Sequence, residues 1–309
     1  MKGVVGATIV EVGLRDGLQN ESTPVDTEGK LRLAKALLDA GLRELEVTSF
    51  VRPDLVPQLA DAEALVAALP RRDDVTYVAL VANERGYERA AAAGVRELIF
   101  VLAATDAFNE RNVRRTVDSS LSELSGLCRR GERDGVNVRA AIAVSFGCPY
   151  SGRVEPGAVL KIAERCADAG ALDLDIADTI GVANPAQVAE VFELLMRGVP
   201  SARTWAAHFH DTRGLGLANA WSAAGAGIRR FDASIAGLGG CPFTPGATGN
   251  VATEDTSYLF DEAGLSTGLD REKLFAAADV AEELVGRPSA GRVKKAERAR
   301  AAVLSPGGR

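Results

Sequence analysis

The sequence is poor in histidine and cysteine, and it has no long apolar run. Two histidines and four cysteines occur in 309 residues, and the cysteines form no C-x-x-C pair. This scatter argues against a disulfide framework and against a thiolate zinc site. No stretch reaches the length of a membrane span, and we find no signal-peptide core near the N-terminus. We therefore expect a cytoplasmic protein that does not bind a membrane.

The charge balance is mildly acidic. A net charge of −6 and a pI of about 5.2 argue against a nucleic-acid partner, although local basic clusters can still bind an anionic ligand. Hydrophobic residues make up 47% of the chain and charged residues 25%, which allows a sizeable buried core.

Short β-rich runs alternate with amphipathic helical stretches from one end of the chain to the other. Eight such runs are candidate strands: 7–13, 44–50, 76–82, 97–104, 137–146, 172–179, 203–210 and 230–238. Helical patterns lie between them, for example over 27–40, 57–69 and 156–169. Glycine stands where helix C′ residues are expected, at Gly41, Gly94, Gly135, Gly170 and Gly227.

Eight βα units predict an α/β fold, a (β/α)₈ TIM barrel with additional C-terminal helices. The barrel spans about 7–264 and the helical appendage about 265–300, within a single domain over 1–309. A doubly wound open sheet is the alternative, but eight regular units favour closure. We expect a helix over 270–285, and then a charged, solvated segment over 292–300, with a disordered end as the alternative.

The two histidines, His208 and His210, lie two residues apart at the end of the seventh strand. Strand side chains alternate, so both imidazoles point to the same, inward face. Active sites of TIM barrels lie at the C-terminal ends of the strands, where Asp16 after strand one adds a carboxylate. The pattern predicts an open three-ligand site for Mg²⁺, Mn²⁺ or Zn²⁺. The alternative is a pair of buried, hydrogen-bonded core histidines.

A glycine-rich segment over 237–250 follows the eighth strand and carries Cys241. Glycine permits backbone dihedrals closed to other residues, and proline stiffens the turns. The segment can act as a lid that brings Cys241 over a bound substrate. An ordinary flexible connection with an incidental thiol is the alternative.

Several ordered motifs between about residues 7 and 285 closely resemble the hydroxymethylglutaryl-CoA lyase family, within the wider TIM-barrel metallolyase superfamily. The matching blocks are EVGLRDGLQNE (11–21), EVTSFV (46–51), GCPYSG (147–152), DTIGV (178–182), HFHDT (208–212), GLGGCP (237–242), GN (249–250) and ATED (252–255).

The resemblance implies a retro-Claisen cleavage that gives acetyl-CoA and a 3-keto acid, which is acetoacetate for 3-hydroxy-3-methylglutaryl-CoA. It implies a divalent metal cofactor, Mg²⁺ or Mn²⁺, held by Asp16, His208, His210 and Asn250. It assigns catalytic roles to Arg15 and Cys241 and active-site acidic positions to Glu46 and Asp178. We expect Arg15 to stabilise the developing enolate, and Cys241, or a metal-bound histidine such as His208, to transfer protons. Glu254 and Asp255 match a pair that supports the glycine-rich loop.

The sequence departs from the family pattern at Leu14, Leu55 and Arg213, where proline, tryptophan and tyrosine are usual. These changes leave open a longer 3-hydroxy-3-alkylglutaryl-CoA, or a related 3-hydroxyacyl-CoA, as the substrate. A bond-forming synthase of the superfamily and a non-catalytic ligand-binding barrel are disfavoured, because the cysteine loop and every expected site residue are present. The resemblance also implies an acyl-CoA partner and a homo-oligomer, a dimer or larger. The helices after Gly264 are candidates for its interface, and Arg52 is a candidate CoA contact.

Overall fold

Ten strands and eleven α-helices occur in the part of the chain that the computed structural model describes, residues 6–240 and 249–304. The strands β1 to β10 are, in order, Thr8–Glu11, Glu44–Ser49, Thr76–Val81, Glu97–Ala103, Asn137–Ala143, Gly147–Cys148, Gly152–Arg153, Asp173–Asp178, Thr204–Phe209 and Arg230–Ala233. The helices α1 to α11 are Thr27–Asp39, Ala62–Ala68, Glu84–Ala92, Asp106–Val113, Val117–Asp134, Pro156–Asp168, Pro185–Gly198, Gly216–Gly225, Thr253–Glu262, Arg271–Val285 and Val293–Leu304. None of the helices in these ranges combines the length and apolar character needed to cross a bilayer.

Eight parallel strands close into a barrel in the order β1-β10-β9-β8-β5-β4-β3-β2. Closure comes from β1, which pairs with β10 on one side and β2 on the other. The short strands β6 and β7 form a separate antiparallel hairpin beside the barrel. The predicted TIM barrel is therefore confirmed, and the C-terminal ends of its eight strands meet at one face.

Local sequence signals account for where the helices begin and end. The side chain of Asp26 accepts a hydrogen bond from the Gly29 amide and caps α1, and Pro156 occupies the first turn of α6. Each glycine predicted to follow a helix has a positive φ, namely Gly41, Gly94, Gly135, Gly170 and Gly227. A residue with a side chain would be strained in that conformation.

The inside of the barrel is charged, while the apolar core lies between the strands and the surrounding helices. Buried aliphatic and aromatic side chains such as Leu98 and Phe192 fill the outer layer. At the N-terminal end of the barrel, Arg139 and Arg230 both bond to Glu44, and Arg139 also bonds to Glu97. A TIM barrel usually fills its interior with branched apolar side chains. Here ion-paired side chains fill the N-terminal end of the barrel instead.

The C-terminal segment is helical. A charged, solvated end is expected over 292–300, with disorder as the alternative; the segment forms α11, and most of its side chains are exposed, so it is solvated but does not take the disordered alternative. The carboxylate of Asp255 accepts the backbone amides of Arg292 and Val293 at the start of the helix. Lys294 is buried and forms ion pairs with Asp279 and Glu282. The charge run therefore holds α11 in place by pairing.

Two other predicted elements are shorter than expected. The predicted helix over 57–69 is a 3₁₀ turn, Pro57–Leu59, followed by α2. The predicted strand over 230–238 ends at Ala233, because a 3₁₀ turn follows in which Ala236 has a φ of 60°. A left-handed residue cannot continue an extended strand.

Candidate metal centre

Two elements bring a carboxylate and two imidazoles together at the C-terminal face of the barrel. Asp16 lies in a π-helical turn, Gly13–Gly17, directly after β1. His208 lies in β9 and His210 follows it, with ring centroids 5.2 Å apart. One ligand atom from each of Asp16, His208 and His210 lies within 4.8 Å of the others. The predicted alternation of the strand thus places both imidazoles on one face.

The two histidines differ in hydrogen bonding and in protonation. His208 directs Nδ1 to Asp232 Oδ2 at 3.0 Å, which leaves Nε2 free to act as a ligand. Burial and His208 lower the pKa of His210 to about 4, so His210 is neutral at physiological pH. Burial would lower the pKa of His208 as well, but the hydrogen bond to Asp232 outweighs it and raises that pKa.

The polar atoms of this cluster fit a divalent cation. His210 Nε2 lies 3.8 Å from Asp16 Oδ2, too far for a hydrogen bond, and His210 Nδ1 is buried without a partner among the described residues. Burial would raise the pKa of Asp16, but Arg15 and the two histidines hold it below its usual range. Two imidazole nitrogens facing an ionised carboxylate are a donor set for Mg²⁺, Mn²⁺ or Zn²⁺.

Asn250 lies beside this cluster. Its side-chain nitrogen donates to Asp16 Oδ2 at 2.8 Å and to the Leu238 carbonyl at 3.1 Å. The chain that carries Asn250 passes close to the backbone of Gly237. This requires glycine at position 249, because a Cβ there would stand only 2.5 Å from the Gly237 carbonyl oxygen. The structure therefore brings the fourth predicted ligand next to the other three. To act as a ligand, Asn250 would have to turn its amide oxygen toward the ion.

Arg15 lies between the carboxylates of Glu46 and Asp16. Its Nε and Nη2 donate to the two oxygens of Glu46 at 2.7 and 2.8 Å, and Nη1 donates to Asp16. Burial alone would lower the pKa of Arg15, but the two carboxylates raise it. A guanidinium has five N–H donors. Three are used here, so two remain for a ligand.

The predicted acidic residues Glu46 and Asp178 have their own partners in the protein. Glu46 is 2% exposed and holds Arg15 in a two-point contact. Asp178, 1% exposed, accepts hydrogen bonds from the amides of Val182 and Ala183 at 2.9 Å each. Asp178 therefore shapes the loop after β8 and does not line the cavity described next.

A cavity opens at the cluster of Asp16, His208 and His210, which we call the metal cluster. Its volume of about 590 Å³ is within the size range of small-molecule sites. Arg15, Asp16, His208 and His210 form one side of it. Aliphatic and small side chains form the inner wall, namely Leu80, Ile99, Val101, Ala141, Ala143 and Ala177. Four arginines stand at the cavity: Arg52, Arg111, Arg114 and Arg115. The predicted contact Arg52 is therefore in position, although in this structure it also pairs with Asp54.

The glycine-rich loop is described only at its two ends. Its predicted catalytic residue, Cys241, lies outside the described residues. At the start of the loop, the left-handed Ala236 donates its amide to Glu254, and its carbonyl accepts from Ser289 and Ala290. Glu254 therefore supports the loop, as the family pattern implies, and the segment before α11 contributes to that support.

Two of the three departures from the family pattern, Leu14 and Arg213, do not line the cavity. Arg213 turns its guanidinium to the carbonyls of Ile180 and Gly181, so it braces the loop after β8. Leu14 is fully buried in the turn after β1. Leu55 is 58% exposed and lines the cavity, so it can contact a bound ligand.

The sequence reasoning missed two residues that face the site. Asp232 on β10 contacts His208, and Asp175 on β8 lines the cavity at 4% exposure. The signal was present, because each is an acidic residue within a predicted strand and has apolar neighbours on both sides. A carboxylate in that setting needs a partner or a function.

Comparison with known proteins gives one consistent result. A family model described as HMGL-like matches residues 7–281. The chain is 44% identical to a hydroxymethylglutaryl-CoA lyase of Pseudomonas mevalonii, over 85% of this chain and 87% of that one. It is 43% identical to an (R)-citramalyl-CoA lyase of Chloroflexus aurantiacus, over 94% of each. The structure of an HMG-CoA lyase of Acinetobacter baumannii in complex with coenzyme A and 3-methylmalate has a TM-score of 0.90 and 35% identity, covering 96% of both chains.

Proposed function

Because this chain belongs to the HMGL-like family, we propose that it is a metal-dependent carbon–carbon lyase that cleaves 3-hydroxy-3-methylglutaryl-CoA to acetyl-CoA and acetoacetate. The observation that carries the proposal is the cluster of Asp16, His208 and His210 beside Arg15 at the cavity. A cleavage of this kind needs a group that acidifies a tertiary alcohol and a cation that stabilises an enolate. The residues that would supply both lie within contact distance of each other.

A Mg²⁺ or Mn²⁺ ion held by Asp16, His208, His210 and Asn250 would lower the pKa of the substrate's tertiary hydroxyl and orient it. In the reaction, the hydroxyl loses its proton, its oxygen becomes the keto oxygen of acetoacetate, and the C2–C3 bond breaks. The electron pair of that bond passes to the thioester as an enolate, which takes up a proton to give acetyl-CoA. Atoms and charges therefore balance without any redox partner.

Arg15 is proposed to stabilise the enolate oxygen through its two remaining N–H groups. Glu46 holds the guanidinium by two hydrogen bonds, so its donors are oriented before the substrate binds. We assign Glu46 a positioning role for that reason. Asp178 is proposed as a second positioning residue, because it holds the loop after β8 through the amides of Val182 and Ala183.

Cys241 is proposed to transfer a proton at the enolate carbon or the hydroxyl, with His208 as the alternative. A lyase of this type forms no acyl-enzyme, so the thiol would serve as an acid or base. A trapped acyl adduct on Cys241 during turnover would contradict this role.

The deciding experiment is an assay of the purified protein with 3-hydroxy-3-methylglutaryl-CoA and Mg²⁺ or Mn²⁺, following acetyl-CoA and acetoacetate. We expect turnover that EDTA abolishes and that added metal restores, and we expect His208→Ala to lose it. Glu193→Gln, at an exposed residue of α7 that does not line the cavity, is the matched control and is expected to retain activity. No cleavage by the wild-type, metal-loaded protein would refute the assignment.

A second substrate class is favoured by the relative that acts on (R)-citramalyl-CoA, which is as similar to this chain as the hydroxymethylglutaryl-CoA lyase is. The apolar cavity wall also leaves room for a longer 3-alkyl chain. The same assay with citramalyl-CoA and with a longer 3-hydroxy-3-alkylglutaryl-CoA would rank the substrates by kcat/KM.

We further propose that the coenzyme A phosphates bind at the mouth of the cavity, where the four arginines give a positive field. A homo-oligomer in the cytoplasm is proposed on the family resemblance. The C-terminal helix α10 packs against α1 within the chain, so its buried side is not free for an interface. Light scattering coupled to size-exclusion chromatography would give the oligomeric state.

A further inference from the structure

Asp175 is a buried acidic residue for which the protein supplies no partner. It lies on β8, is 4% exposed and lines the same cavity as the metal cluster. Within residues 6–240 and 249–304, no hydrogen bond or ion pair reaches its carboxyl group. Its carboxyl oxygens are not among the fully enclosed atoms without a partner, so they face the cavity, where only an entering group can pair with them. A partner is therefore expected to come from what enters the cavity.

The surroundings of Asp175 explain why no side chain reaches it. The residues in register with it on the two adjacent strands are Ala141 and Ala206, which are too short to bond it. The other nearby side chains include Asp232 and Arg139, and Arg139 is used by Glu44 and Glu97. The alanine on β5 also lines the cavity, so open space stands beside the carboxyl group.

The chemistry of this position favours a neutral hydrogen-bonding group as its partner. Burial raises the pKa of Asp175, and the negative charge of Asp232 raises it further, which favours the protonated carboxyl. A protonated carboxyl has one O–H donor and one carbonyl acceptor. An anionic group would meet the negative field of Asp232 and Glu46, whereas a hydroxyl can both donate and accept.

The distance from the metal cluster limits what can reach this carboxyl. Ala177 is in register with His208, and Asp175 lies two residues before it on the same strand. Two residues of a strand span about 6.6 Å. A substituent of two or three heavy atoms on the carbon that carries the metal-binding hydroxyl, followed by an O–H···O contact of about 2.7 Å, bridges that distance.

We propose that Asp175 is a specificity-determining residue that hydrogen-bonds a hydroxyl on the C3 substituent of the acyl-CoA substrate. This inference rests on the proposed lyase function and adds to it a preference, among 3-hydroxyacyl thioesters, for those whose C3 substituent carries a hydroxyl. A site built to bond a hydroxyl discriminates against the analogue that lacks it, because the protein group is then left unpaired.

The test compares two thioesters, 3-hydroxy-3-(hydroxymethyl)glutaryl-CoA and 3-hydroxy-3-methylglutaryl-CoA, by their kcat/KM values. We expect the wild-type protein to prefer the hydroxymethyl substrate about tenfold. Asp175→Ala is expected to remove that preference while the methyl substrate stays within about threefold of wild type. Asp175→Asn keeps a donor and an acceptor and is expected to retain most of the preference.

The matched control is Asp173→Asn, on the same strand, since Asp173 pairs with Arg203 and does not line the cavity. This change is expected to lower the melting temperature and to leave the substrate ratio unchanged. An unchanged ratio in Asp175→Ala, or an equal loss for both substrates, would overturn the proposal while the lyase function stands.

A binding measurement separates this inference from the lyase assignment. If the wild-type protein cleaves neither thioester, the proposed function fails. The role of Asp175 is then decided by calorimetric titration of the Mn²⁺-loaded protein with 3-hydroxy-3-(hydroxymethyl)glutaric acid and with 3-hydroxy-3-methylglutaric acid. Weaker binding of the hydroxymethyl acid to Asp175→Ala, with no change for the methyl acid, would support the proposal. Equal effects on both acids would overturn it.

Discussion

Replacing Asp232 tests how the metal centre is organised without altering any proposed ligand. Asp232 is 6% exposed, and its carboxylate lies 3.0 Å from His208 Nδ1. This contact fixes the tautomer that leaves His208 Nε2 free. We expect Asp232→Ala to bind Mn²⁺ about 100-fold more weakly than the wild type, and Asp232→Asn about tenfold more weakly.

The two magnitudes follow from the lost contact. A hundredfold loss corresponds to about 2.8 kcal/mol. That is the order expected when a hydrogen bond to a charged group is removed and a buried imidazole N–H is left without a partner. The asparagine variant keeps an acceptor oxygen and loses only the charge, so its loss is smaller.

The assay is calorimetric or electron paramagnetic resonance titration of the EDTA-treated protein with Mn²⁺, with no substrate present. Asp173→Asn again serves as the control, because it removes a buried barrel carboxylate away from the metal cluster. Mn²⁺ affinity within about twofold of wild type in Asp232→Ala would refute this account of the site, since a supporting carboxylate normally changes affinity at least tenfold. A loss of affinity in Asp173→Asn would attribute the effect to general destabilisation.

Three other changes test separate parts of the structure. His210→Ala removes a proposed ligand whose pKa is about 4, and we expect Mn²⁺ binding to fall more than 100-fold by the same titration. Retained binding would exclude His210 as a ligand. Arg15→Lys keeps the charge but loses the two-point contact with Glu46, so kcat should fall about 10²–10³-fold while Mn²⁺ still binds. An unchanged kcat would exclude enolate stabilisation by Arg15. Burial raises the pKa of Glu254 from 4.5 to about 7, so the folded protein favours the protonated form and loses stability as the pH rises from about 4.5 to about 7. Glu254→Gln should remove that loss. The difference in melting temperature between the variant and the wild type, both metal-free, should therefore shift in favour of the variant from pH 5 to pH 8. Parallel plots of melting temperature against pH for the two proteins would contradict the shifted pKa.

The fold and the metal cluster could be predicted because their signals are local. The eight β-rich runs all became barrel strands, and each predicted C′ glycine has the positive φ that its position requires. His208 and His210 face the same way because the strand period is two, whatever the rest of the chain does. Asp16 follows β1, and in a closed parallel barrel the C-terminal ends of all the strands lie at the same face.

The charged C-terminal segment shows where local patterns are insufficient. Its sequence is typical of a solvated end, yet α11 is held by Asp255 at its start and by ion pairs of the buried Lys294. These partners come from other helices. Charge in a sequence does not say whether a partner is present, and the pairing depends on how the chain returns to the barrel.

The sequence by itself determined the repeating βα pattern, the pair of histidines at the end of β9 and the glycines that end the helices. Only the tertiary structure decided which buried carboxylates have partners. In the closed barrel Asp232 contacts His208, and Asp178 accepts a backbone amide of the loop after β8. Asp175 lies in register with two alanines and faces the cavity. The reason is physical: side-chain alternation is a property of one strand, whereas the partner of an inward side chain depends on the register between strands that are distant in sequence.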